Sequence, residues 1–192
     1  MKFIDLFAGL GGFHVALTRL GHKCVFACEI DPALNKIYND IHGLKPHLDI
    51  KNVDLTKVPE YDILCAGFPC QPFSKAGSQQ GFSHKVAGDM FNSLYLFLKK
   101  HKPKFFFLEN VPNLFSHDKG FTWLYMKTKL ENLGYNVSQD IISPTDFNIP
   151  QTRKRFYILG SLDKKPIKWP VADKKKDFSL NDILINDPTK IK

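Results

Sequence analysis

Apolar residues in this chain cluster in short runs, and the stretches between them carry a helical period. Lys2–Phe7 (KFIDLF) is an apolar run that predicts a first strand, and Gly9–Gly12 (GLGG) breaks it. Phe13–Leu20 (FHVALTRL) places Phe13, Ala16, Leu17 and Leu20 on one helical face, and Gly21 stops that helix. Lys23–Ala27 (KCVFA) predicts a second strand. Asp31-Pro32 opens a helix that runs to about Ile41, with Pro32 in the first turn, where a missing N–H is tolerated. Tyr61–Ala66 (YDILCA) predicts another strand. Asp89–Lys100 (DMFNSLYLFLKK) predicts a helix whose basic end suits the helix dipole. Lys104–Leu108 (KFFFL) reads as a buried strand ending at Glu109, and residues 120–133 as a helix closed by Gly134. Tyr135–Ile142 and Arg155–Gly160 predict the last two strands. Alternation of strand and helix argues an α/β fold with a doubly wound sheet. No internal repeat is present.

Ligands of such sheets bind beyond the carboxyl ends of the strands. That rule gathers four stretches: Ala8–Gly12 after the first strand, Glu29–Asp31 after the second, Gly67–Ser74 after the fourth and Glu109–Pro112 after the fifth. Gly67–Ser74 (GFPCQPFS) sets Cys70 between two prolines, which fix φ and remove donors, so it is neither helix interior nor central strand. On those residues alone, Cys70 is either a positioned nucleophile or a buried cysteine in a rigid turn. Residues 67–88 predict a long irregular loop, a length that usually carries function or disorder.

Composition narrows the picture. The 192 residues suffice for one domain with a core, at 43% hydrophobic and 24% charged. No run approaches the ~18 apolar residues of a membrane span, and the N-terminus lacks a signal-peptide pattern, so a cytoplasmic protein is expected. The four cysteines, Cys24, Cys28, Cys65 and Cys70, form no C-x-x-C pair, which fits a reduced compartment and no metal site. A formal net charge of +8 favours a polyanionic partner such as nucleic acid.

The turn FAGLGG supplies glycines for close ligand approach. It reads G-x-G-G rather than G-x-G-x-x-G, which favours a compact nucleoside pocket over a pyrophosphate grip. Glu29 lies where a carboxylate typically takes both ribose hydroxyls. The alternative, an acid at a helix start, suits Asp31 better, because Asp31 directly precedes Pro32. Asp49 ends a short apolar segment and reads either as a partner of an adenine amino group or as a turn residue.

FIDLFAGLGGF, GFPCQPFS, FLENVPNL and PQTRKRFYILG, in this order, resemble the bacterial DNA (cytosine-5)-methyltransferases from about Lys2 to Gly160, with a fainter continuation to Leu184. A tRNA-methylating relative has a related but different Pro-Cys loop. The resemblance implies a Rossmann-like, mostly parallel S-adenosylmethionine-dependent methyltransferase fold. It also implies methyl transfer to carbon 5 of cytosine in double-stranded DNA, with S-adenosylhomocysteine as product. That carbon is a poor nucleophile until a thiolate adds at carbon 6 and turns the ring into an enamine, and the resemblance gives this role to Cys70. Pro69 and Pro72 would aim the thiol. Glu109 would face nitrogen 3 and the exocyclic amine, Arg155 the cytosine carbonyl, and Arg153 a phosphate or the loop. Gln71 and Ser74 would reach phosphate or the gap left by the flipped base, and Asn110 and Val111 would fix their loop. For the cofactor, Phe7 would stack near adenine, Leu10 and Gly11 would line the methionine, Glu29 would hold the ribose, and Asp49 and Ile50 would meet adenine. Gly67, Pro69 and Met90 would lie close by. Ile30 departs from a tryptophan of some relatives, so one wall of the adenine slot is smaller. The target base must be flipped out of the duplex at a few kcal/mol, with the loop over residues 70–88 as a lid.

Full-length members continue after the last motif with a target-recognition region and a closing helix. Residues 1–165 therefore read as the catalytic and cofactor-binding domain. Residues 166–192 read as a basic tail or the start of a linker. A second polypeptide supplying the rest is one expectation; a truncated product is another. The rival function is a non-catalytic methyltransferase-like subunit for DNA binding or assembly, which the intact Pro69-Cys70, Glu109 and Arg155 disfavour.

Overall fold

Six strands form one sheet in the order β2-β1-β3-β4-β6-β5. The structure, a computed structural model, describes residues 1–69, 85–163 and 165–173, with side chains from Met90 onward in the segment that begins at Lys85. The strands are β1 (Lys2–Leu6), β2 (Lys23–Cys28), β3 (Ile63–Gly67), β4 (Phe105–Asn110), β5 (Asn136–Ile142) and β6 (Arg155–Ser161). The helices are α1 (Gly12–Arg19), α2 (Pro32–His42), α3 (Lys85–His101), α4 (Asn113–Ser116) and α5 (Phe121–Glu131). Pairing is parallel from β2 through β4, and β6 lies antiparallel between β4 and β5. The sheet is therefore mostly parallel, as the alternation predicts.

Two strands counted from the sequence shift by one. The segment ending at Asp49 forms only an isolated bridge, Cys28 to His47, followed by a 3-10 turn at Ile50–Asn52. Gly67 thus ends the third strand and Glu109 lies inside the fourth. The loop expected to reach residue 88 gives way to α3 at Lys85.

Alternation along the strands sorts side chains onto two faces. On one face Ile4, Leu6, Leu64, Ala66, Phe106, Leu108, Phe156 and Ile158 are buried. Phe91, Leu94, Phe97 and Leu98 of α3 belong to the same core, as do Trp123, Met126 and Leu130 of α5. Packing there is close: a Cβ on Gly160 would sit 2.0 Å from the Phe106 ring, so only glycine fits. The other face carries Phe3, Ile63, Cys65, Phe107 and Leu159; α2 lies at its β1–β2 end, and α1 packs on Phe3, Ile63 and Cys65, its Phe13 ring 5.1 Å from that of Phe107 on β4. The α1 stripe read from the sequence is only half realised. Phe13 and Leu17 are half-buried, Ala16 and Leu20 are exposed, and no α1 residue is fully buried. The helix ends at Arg19, and among the described residues nothing packs on its far side.

Candidate active site

The first strand must leave the sheet abruptly to make room for a ligand. Phe7 takes a left-handed φ of 55°, a conformation that costs a non-glycine residue of order 1–3 kcal/mol. Gly11 (φ 84°) caps α1, and a Cβ there would lie 2.3 Å from His42 Nε2, so backbone conformation and close approach both demand glycine. Among the described residues, no atom lies within 4 Å of a Cβ added at Gly9 or Gly12. Large apolar side chains flank this turn: Leu10 is 58% exposed and Ile30 67%.

Glu29 follows β2 and is buried. Its Oε2 accepts from Gly9 N at 2.7 Å and its Oε1 from Asp31 N at 2.9 Å, so one carboxylate joins the first two strand-end loops. Asp31 caps α2, accepting from the N–H groups of Ala33 and Leu34. Asn35 holds the same corner, donating to the carbonyls of Glu29 and Pro46. Asp49 turns back on its own chain and accepts from Lys51 N at 2.9 Å, while Ile50 is buried in the core. Met90 is half-buried against that core.

The third and fourth strands end side by side. Gly67 and Glu109 are register partners, and a Cβ on Gly67 would stand 3.4 Å from Glu109 Oε2. Buried Asn110 donates to the Phe68 carbonyl at 3.1 Å and accepts from Val111 N, latching the two loops together next to exposed Pro69. Cys70, Gln71, Pro72 and Ser74 lie outside the described residues. Because β6 runs antiparallel, its first residue returns to the same edge. Arg155 Nε donates to Glu109 Oε1 at 2.8 Å, with both side chains largely covered. Arg153 is exposed.

Tyr157 is a neighbour that motif reading passed over. It pairs with Glu109 across β4–β6, and two-residue alternation from Arg155 puts it on the same face. Its hydroxyl pKa is raised, first by burial and then by the Glu109 charge, with Arg155 and Arg153 opposing. A second unforeseen group lies under the glycine turn. Asp5, Cys24, Tyr38, His14 and His42 meet there: His14 Nδ1 and the Tyr38 hydroxyl share a 2.7 Å hydrogen bond, and the two imidazoles stack at 4.1 Å. Asp5 is 1% exposed, and burial pushes its pKa up to about 8 against hydrogen bonds from the His14 backbone and Tyr38. Among the described residues no group of His, Cys, Asp and Glu is placed to hold a metal ion, and no helix is long and apolar enough to cross a membrane.

Residues 1–190 match the family model of C-5 cytosine-specific DNA methylases. The Type II methyltransferase M.MspI of Moraxella sp is 45% identical over 163 residues, covering 85% of this chain and 39% of M.MspI. M.HaeII of Haemophilus aegyptius is 42% identical over 186 residues, covering 97% of this chain and 58% of M.HaeII. The chain thus spans about half the length of the relatives it matches. Among solved structures, the S. pombe Dnmt2 methyltransferase superposes with a TM-score of 0.68 at 28% identity, covering 88% of this chain and 51% of that one. The Entamoeba histolytica methyltransferase EhMeth, at 22% identity, shares the fold with a TM-score of 0.74 over 97% of this chain and 60% of its own. With the glycine turn, the Glu29 corner and the Glu109–Arg155 pair at one sheet edge, and a family match over nearly its whole length, the chain belongs to the C-5 cytosine-specific DNA methylases.

Proposed function

We propose that this chain is the catalytic and cofactor-binding portion of an enzyme that methylates carbon 5 of cytosine in double-stranded DNA. The observation that carries the reading is the meeting of Gly67, Glu109 and Arg155 beside the Phe68-Pro69 segment that leads into Cys70. S-adenosylmethionine, when bound, supplies an electrophilic methyl group on a sulfonium. The residues suit it: uncrowded Gly9 and Gly12 in the turn, apolar Leu10 and Ile30 flanking it, and a buried carboxylate at Glu29. Both Glu29 oxygens already accept backbone N–H bonds, and a carboxylate has lone pairs to spare for ribose hydroxyls. Phe7, Gly11, Asp49, Ile50 and Met90 complete the proposed pocket.

At the base, the Cys70 thiolate would add to carbon 6 of a flipped cytosine and move the 5,6 electron pair to carbon 5; once carbon 5 carries the methyl group, loss of its proton to a base expels the thiolate and restores the ring. The Glu109 carboxyl faces nitrogen 3 and the amine and manages the proton there. Arg155 bonds the ring carbonyl while holding Glu109 in place. Arg153 contacts phosphate. Asn110 holds the Phe68 carbonyl, two residues before Cys70 in the sequence. Residues 1–165 form this catalytic unit, and just beyond it Trp169 Nε1 donates to Ser138 Oγ on β5 at 2.7 Å. A further segment, on this or a second polypeptide, supplies target recognition.

Cys70→Ser tests the reading. In a complex that methylates DNA, the variant is expected to lose transfer while keeping S-adenosylmethionine affinity within twofold. DNA carrying 5-fluorocytosine is expected to trap a covalent adduct on Cys70. Transfer retained above a few per cent, or trapping elsewhere, overturns it.

A further inference from the structure

The glycine turn is held from below as well as from the side. Glu29 grips Gly9 N, and the Ala8 N–H donates to the Cys28 carbonyl at 3.0 Å. The Gly11 N–H closes the turn on the Ala8 carbonyl at 2.8 Å, and the remaining hold is an imidazole. His42, the last residue of α2, reaches back so that its Nε2 lies 3.1 Å from the Leu10 carbonyl. A carbonyl only accepts, so Nε2 carries the proton and donates. The same ring covers Gly11, where a Cβ would collide with it at 2.3 Å. Its own position is fixed by two ring contacts and by the end of its helix. It stacks on His14 at 4.1 Å, meets the Tyr38 ring at 4.6 Å, and is followed by Gly43 in the left-handed conformation that ends α2. His14 is fixed in turn by its 2.7 Å hydrogen bond to the Tyr38 hydroxyl. A chain of contacts therefore runs from Tyr38 in the core, through His14 and His42, to the carbonyl at the tip of the turn.

We propose that His42 is a positioning residue for the methionine end of the cofactor, holding the Leu10 carbonyl so that the Gly9–Gly12 turn keeps one conformation. The inference rests on the reading that this turn takes S-adenosylmethionine. Leu10 carries little packing of its own, with its side chain 58% exposed, so its carbonyl is the handle by which the fold controls the tip. A glycine-rich turn is conformationally permissive. Without this hold it would sample other conformers, and binding would carry the cost of restoring the competent one.

Two substitutions separate the donor from the ring. His42→Phe keeps an aromatic surface over Gly11 and against His14 but removes the N–H. His42→Gln gives up the ring and keeps an amide N–H that reaches the Leu10 carbonyl. Calorimetry with S-adenosylmethionine, on the chain completed by the further segment that makes it methylate DNA, is expected to show affinity about three- to tenfold weaker for His42→Phe, the loss of one net hydrogen bond. Affinity within twofold of native is expected for His42→Gln, and the melting temperature of His42→Phe should stay within a few degrees of native. Amide hydrogen exchange at Gly11 and Gly12 without cofactor is expected to quicken in His42→Phe alone. Native affinity in His42→Phe, or a loss that His42→Gln shares, overturns the proposal. Faster exchange in His42→Phe, with no cofactor binding by the native chain even when completed by that further segment, overturns the cofactor reading and this role with it, while confirming that His42 holds the turn.

Discussion

Asp5 occupies the middle of β1, almost fully buried, and its Oδ2 has no hydrogen-bond partner. With a folded pKa of about 8 and an ordinary unfolded value near 4, it holds a proton in the native state that the unfolded chain has released. Between those values the native state binds more protons, so stability falls as pH rises. The contribution is fully present below about pH 4 and lost by about pH 8. Asp5→Asn keeps the shape and removes the titration. Urea midpoints at pH 5 and pH 8 should show native stability falling while the variant's changes less, so that their difference widens with pH. Parallel profiles would mean that Asp5 is ionised in the neutral protein. Glu29 offers a contrasting case, because it accepts from two backbone groups on different loops. Glu29→Ala should weaken S-adenosylmethionine binding about 10- to 150-fold, from about 1.5–3 kcal/mol for hydrogen bonds to a charged group. It should also lower the melting temperature, since the Gly9 and Asp31 N–H groups lose their acceptor. Calorimetry and a thermal scan check the two effects separately. Unchanged affinity with a lower melting temperature would assign Glu29 to loop bracing only.

Loops at the ends of β3 and β4 have no ladder to fix their relative height, and Asn110 supplies the missing link through the Phe68 carbonyl. Asn110→Ala should leave that buried carbonyl unsatisfied, at roughly 1–3 kcal/mol. With the Pro69-Cys70 segment released, methyl transfer should fall more than cofactor affinity does. Equal losses in kcat and in affinity would show general unfolding instead. At this scale much was legible beforehand. Apolar runs located six of the strands within one or two residues, because a buried strand needs no partner to declare its hydrophobicity. The Asp31-Pro32 signal placed the start of α2, since capping is local chemistry. Less legible was whatever depends on the neighbour across the sheet. The antiparallel insertion of β6 is what sets Arg155 against Glu109, and no local pattern encodes it. Family motifs supplied both residues as candidates but not their ion pair. Around Asp49 the apolar pattern does not mark a strand: Leu48 is 57% exposed, and Ile50, just past Asp49, buries into the core from a 3-10 turn. Tyr157 and the His14–Tyr38–His42 group went unread, because each is assembled from elements that meet only in the folded sheet.

Taken as a whole, the molecule is better covered on one side of the sheet than on the other. Two long helices bury the first face, whereas α1 and α2 cover the second only as far as the Phe13–Phe107 contact, leaving the start of β4 and β6 partly exposed. There Phe105 is 37% exposed and Phe107 and Leu159 are only half-buried. With Leu17, Ile63 and Ile167 they line a groove of about 410 Å³. An apolar groove of that kind marks an interface more often than a finished surface. The chain spans about half the length of the relatives it matches, and the segment proposed to complete the enzyme is the expected cover of this groove. The 192-residue chain alone should therefore bind S-adenosylmethionine weakly and leave plasmid DNA without site-specific methylation. Adding the remaining methyltransferase segment as a second chain should raise the melting temperature, because a partner that binds only the folded state stabilises it by mass action. It should also bring sequence-specific methylation, read by sequencing modified cytosines. Phe105→Lys places a charge in the groove at a position already partly exposed. It should leave the melting temperature of the isolated chain near native while removing most of the gain from the partner. Full gain in Phe105→Lys would move the docking surface elsewhere. Robust site-specific methylation by the chain alone would show that recognition already resides between Gly67 and Lys192, and that the open face serves another end.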